Sequence, residues 1–157
     1  MITEISLSRT YYIRKILNRE NTNKKPLMLL SLVELGGYPN FTSLYEAEGF
    51  LVTAENSTRK AISAIKKNKP DLIVAEFNYQ SDFRDRTSSL ESLLSSVERF
   101  PNTRAIVFYE KETQHQLDKF LQQFEVFKVM PYPIEEDSLR AVLKDAHDAI
   151  DSFSTSV

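Results

Sequence analysis

The sequence predicts an α/β protein, with a five-stranded parallel sheet of order 2-1-3-4-5 and helices on both faces. Three observations lead there. From Pro26 to Ile150, apolar runs of strand length alternate with stretches of helical periodicity. The runs are apolar almost throughout, as strands covered on both faces must be. Strand and helix alternate one for one, so right-handed crossovers lay each helix against the sheet. With 157 residues, 41% of them hydrophobic, the chain suits a single core with no room for a second domain of normal size.

The elements follow in order. In residues 1–25, Tyr12, Ile13, Ile16 and Leu17 form one stripe of a predicted helix, with Arg9, Arg14, Lys15 and Arg19 mostly outside it. Asn21 to Pro26 is a polar linker. Leu27 to Val33 is the first strand, followed by a turn at Gly36, Gly37 and Pro39 and a short helix bearing Leu44 and Tyr45. Phe50 to Ala54 is the second strand; Ser57 or Thr58 caps a helix that stops at Lys69-Pro70. Leu72 to Phe77 is the third. Ser88 and Glu91 have capping-box spacing before the helical face Leu90, Leu93, Leu94 and Val97. Ala105 to Tyr109 is the fourth strand, and Leu117, Phe120, Leu121 and Phe124 share a helix face. Val126 to Met130 is the fifth, and Leu139, Val142, Leu143, Ala146 and Ile150 mark the last helix. The expected organisation is a basic arm over 1–25, a domain over 26–152 and a tail over 153–157.

Charge and composition narrow the chemistry. The chain nets -2, but residues 1–25 net +4 and the remainder -6, so a basic arm precedes an acidic body. That cluster is short and lacks a groove-reading motif, which argues against nucleic acid as the partner. Without Cys there is neither a disulfide framework nor a thiolate metal site. Three Gly, two of them adjacent, do not make a phosphate-cradling loop. His115 and His147 fall on separate predicted helices and read as surface residues. No apolar run is long enough for a bilayer, and the start of the chain lacks the pattern of a secretory leader, so the expectation is a cytoplasmic protein. In an open sheet of this order the crevice lies beyond the carboxyl ends of strands 1 and 3, where Glu34 and Glu76 stand.

The run from Gly49-Phe50-Leu51-Val52-Thr53-Ala54 through Ala61, Ile65 and Lys69-Pro70-Asp71-Leu72-Ile73 resembles the receiver domain of two-component response regulators. The likeness extends from Pro26 to Ile150 and implies a flavodoxin-like, CheY-like fold. In that family a pair of acids after strand 1 binds a divalent metal, and an Asp ending strand 3 takes the phosphoryl group. A Thr or Ser ends strand 4, and a Lys before Pro ends strand 5. Here one acid, Glu34, remains of the pair, and Glu76 stands at the phosphoacceptor position. Tyr109 replaces the small hydroxyl residue. In the preferred register Tyr132, before Pro133, replaces the Lys; in the alternative it is Met130, before Pro131.

By resemblance, then, the chain is a degenerate pseudo-receiver. A carboxylate one methylene longer misplaces the nucleophile, and a lost acid and a lost ammonium remove metal geometry and counter-charge. Tyr109 and Tyr132 read as plugs of the vacated pocket. The implied function is non-enzymatic: a protein-interaction module of a two-component or related pathway, independent of phosphorylation, without a cofactor or metal. Output in the family passes through the face of helix 4, strand 5 and helix 5, here Gln116, Lys119, Gln123, Lys128, Val129 and Arg140. Partners are expected to be proteins, with no membrane association; the Tyr12, Ile13, Ile16, Leu17 stripe either docks on its own domain or joins a partner or a second copy of the chain. The alternative is a sensor whose altered crevice, edged by Glu34, Glu76, Tyr109 and Tyr132, holds a small ligand or a cation. A residual metal-dependent phosphotransfer enzyme ranks third.

Overall fold

The computed structural model describes residues 26–33, 39–78 and 89–155. Glu34, Ser88 and the Tyr12, Ile13, Ile16, Leu17 stripe lie outside the described residues. Five parallel strands, β1 (Leu27–Leu32), β2 (Phe50–Glu55), β3 (Leu72–Phe77), β4 (Arg104–Tyr109) and β5 (Lys128–Pro131), form one sheet in the order β2-β1-β3-β4-β5. Helices α1 (Thr42–Ala47), α2 (Thr58–Asn68), α3 (Ser89–Val97), α4 (Gln114–Leu121) and α5 (Glu136–Thr155) connect the strands or follow the last. The expected fold class is the one found. β5 starts two residues later than the apolar pattern predicts, at Lys128, and α5 runs to Thr155, past the expected start of the tail at 153.

Strand alternation divides the core into two layers. Leu30, Leu32, Ile73, Ala75, Phe77, Ala105, Val107 and Tyr109 point to the side of α2, α3 and α4. Leu27, Leu29, Leu72, Val74, Ile106 and Phe108 point to the side of α1 and α5. Ile65, Leu93 and Leu117 close the first layer, and Leu139, Leu143 and Ala146 the second, all with no measurable exposure. Burying each such Leu or Ile contributes about 1.5–3 kcal/mol relative to leaving it in water.

Local chemistry sets the element ends. The Ser57 hydroxyl accepts from the Lys60 N–H at 3.2 Å and caps α2. Lys69 ends that helix in the left-handed region at φ 47°, its N–H donating to the Ile65 carbonyl. Gly49 takes φ 97° in the turn into β2, where a side chain would clash. At the amino ends of the strands, Asp71 ties β1 to β3: its carboxylate accepts from the Met28 N–H at 2.9 Å, and its own N–H donates to the Met28 carbonyl. The Thr103 hydroxyl donates to the Pro70 carbonyl at 2.7 Å, in the same region. The amino edge of the sheet is thus clamped by polar bonds, and the carboxyl edge is left for the site.

Candidate functional site

β3 lies at the centre of the sheet, between β1 and β4, and carries Glu76 near its carboxyl end. The register pairs Glu76 with Phe108 and Phe77 with Tyr109. Glu76 therefore falls on the α1 and α5 side, with Val74 and Phe108 as same-face neighbours. Its exposure is 8%, and apart from Ser31 it is the only polar residue buried among the described residues. A carboxylate so placed is unusual, because removing charge from water is costly unless other groups compensate.

Glu76 lines a cavity of about 440 Å³ at the carboxyl ends of β1 and β3, within the size range of small-molecule sites. Ser31 and Val33 of the β1 edge, Phe41 and Tyr45 from α1 and its entry, and Phe108 and Tyr132 form much of the wall. Glu55, Asn56 and Lys60 contribute from the end of β2 and the start of α2. Each ring is held by its element. Asn40 secures the entry to α1: its carboxamide oxygen accepts from the Thr42 N–H at 3.0 Å and from the Thr42 hydroxyl at 2.6 Å. Phe41 and Tyr45, four residues apart, then face the sheet together, with ring centroids 6.5 Å apart. Phe41 meets Phe108 edge to face at 6.1 Å, and Phe108 meets Tyr132 in the same way at 5.8 Å. The Tyr132 N–H donates to the Tyr109 carbonyl at 2.8 Å, which extends the β4–β5 ladder and fixes the ring against the cavity.

Electrostatics bind Tyr45 to this site. Burial first, and the negative charge of Glu76 second, push its phenol well above the usual tyrosine range. It remains a neutral hydroxyl at physiological pH, able to donate.

The expected site residues separate. Glu76 and Tyr132 come together; the Tyr132-Pro133 bond is cis, and Met130 is buried in the core instead of lining the cavity. Tyr109 does not edge the crevice. Paired with Phe77, it takes the opposite side of the sheet and packs into the layer under α3 and α4. Its ring plugs that layer, not the pocket. Of the expected output face, Lys119, Gln123 and Lys128 are exposed, and Gln116 and Val129 are half-buried along α4 and β5. Arg140 is set apart from them, because its guanidinium pairs with Glu48 at 3.5 Å, just past the end of α1, and with Asp137 at 3.4 Å. His147, which reads as a surface residue in the sequence, is half-buried: it packs edge to face on Phe50 at 5.6 Å and pairs with Asp151 at 3.0 Å. Phe41, Tyr45 and Phe108 were not candidates from the sequence. The i, i+4 spacing of the first two and the strand parity of the third are the signals that would have found them.

Comparison with solved structures decides what the scaffold is. The response regulator receiver domain protein from Clostridium thermocellum superposes with a TM-score of 0.65 at 13% identity, over 83% of this chain and 99% of that one. The chain has the receiver fold. The signal receiver domain of an HD domain-containing protein from Pseudomonas fluorescens Pf-5 matches with a TM-score of 0.63 at 12% identity, over 82% of this chain and 99% of the other. A streptococcal protein of a redox-sensor family evolved from two-component response regulators matches at 0.66 and 17%, over 83% of this chain and 55% of its own. Neither a protein-family model nor a curated protein sequence matches this chain. Among the described residues, no helix of the receiver fold is long and apolar enough to cross a membrane.

Proposed function

We propose that the chain is a receiver-like signalling module that works through protein contacts and is not phosphorylated. The observation that carries this reading is the setting of Glu76: a carboxylate walled by aromatic rings, with Tyr132 where the resemblance expects the Lys. Phosphoryl transfer needs a nucleophile aligned with its donor and cations that take up the developing charge. Among the described residues, no three His, Cys, Asp or Glu side chains gather as a metal-binding group, and Lys60, the cation lining the cavity, is exposed. Incubation with magnesium and acetyl phosphate followed by intact mass measurement tests the reading. The mass stays unchanged; a stable gain of one phosphoryl group would refute it.

The contact surface in this reading is the face of α4 and β5, with Gln116, Lys119, Gln123, Lys128 and Val129. β5 is an edge strand of four residues bearing exposed Lys128 and ending in Pro131, features that oppose strand-to-strand pairing. Partners therefore engage its side chains and those of α4, and not its backbone. Substituting Lys119 and Lys128 together by Glu should abolish capture of the partner from the native cell while leaving the melting temperature unchanged.

A second reading is supported by the cavity itself: the module senses a small molecule in the crevice. The streptococcal neighbour belongs to a family of redox sensors. This chain has no Cys, so sensing here does not use a thiol.

A further inference from the structure

Building on the second reading, we infer that the crevice binds a small organic monocation, its ammonium head set between the aromatic rings and against the Glu76 carboxylate. Four rings, Tyr45, Phe41, Phe108 and Tyr132, line the same cavity and follow one another in that order at centroid distances of 6.5, 6.1 and 5.8 Å. Ring faces attract cations through their quadrupoles, and this attraction grows when water is excluded. The Glu76 carboxylate, 8% exposed, lines the same cavity. An aromatic wall with one buried acid is the chemistry that recognises alkylammonium groups.

The same features select against other ligands. A hard divalent ion takes several oxygen ligands in fixed geometry, whereas an organic cation sheds its weakly held water easily and gains from ring contact. An anion would face Glu76 directly. The field of Glu76 reaches across the cavity, since its charge acts on Tyr45, and Tyr45 stays neutral, adding a ring without a second negative charge. Glu55 and Lys60, at the end of β2 and the start of α2, line the cavity with opposite charges and leave Glu76 as its one buried charged group among the described residues.

The test compares choline with its neutral isostere, in which a quaternary carbon replaces the nitrogen. Both are titrated into the isotope-labelled full chain, and the backbone amide resonances of residues around the cavity are followed by NMR. Choline should shift them saturably, with the isostere at least about tenfold weaker. Glu76→Gln and Tyr132→Leu should each weaken choline by about tenfold, with amide spectra otherwise like the wild type. Equal binding of choline and the isostere would overturn the cation assignment while leaving a ligand-binding crevice intact. Undiminished choline affinity in Glu76→Gln would overturn it too, as would magnesium shifting these resonances where choline does not. Failure of choline, isostere and magnesium alike to shift them would overturn this assignment.

Discussion

Glu76 holds two opposed demands in one side chain: a carboxylate seeks water or cations, and its strand holds it among aromatic rings. In the proposed reading, shortening this acid by one methylene creates no phosphoacceptor, because Tyr132 stands where the resemblance expects a cationic amine. Glu76→Asp should therefore gain no stable phosphoryl group from acetyl phosphate and magnesium by intact mass. Tyr45 gives a second expectation, in pH. Folding raises its pKa above the ordinary value of 10.0, so the folded state favours the protonated phenol. Its contribution to stability is complete below that value and is lost as pH rises through the alkaline range. In urea melts, the wild type should lose stability above about pH 10 more steeply than Tyr45→Phe does.

At the scale of the element, most of the structure was legible because local chemistry sets it. Ser57 caps α2 as its side chain and position require. Ser57→Ala should cost about 1 kcal/mol in chemical denaturation. Lys69 shows the opposite case, a helix stop made without glycine. A non-Gly residue in the left-handed region costs about 1–2 kcal/mol, and glycine's greater unfolded freedom returns about half of that. Lys69→Gly should thus stabilise the fold by about 0.5–1 kcal/mol, read as a higher urea midpoint with unchanged slope. β5 was read less well. Its apolar run begins at Val126, but ladder pairing begins at Phe127, whose N–H reaches the Ala105 carbonyl, and the strand proper at Lys128. Hydropathy reports which residues are covered, not which backbone groups are paired.

For the whole molecule, the two layers share one sheet, so damage to either should unfold both. Leu143→Ala, at a fully buried α5 position, should cost about 2–5 kcal/mol in a single cooperative transition followed by circular dichroism. The alternation of strand and helix patterns, the centre-sheet place of Glu76 and the Tyr132 that precedes Pro133 were written in the sequence alone, because periodicity and order are properties of one chain segment at a time. Which aromatic residues meet Glu76 was not. The choice of Phe108 over Tyr109 rests on how β3 and β4 align, and a shift of one residue would exchange them. Likewise Arg140 left the expected face for Glu48, from a different part of the chain. Register and packing join distant segments, so only the tertiary structure decided the composition of the crevice.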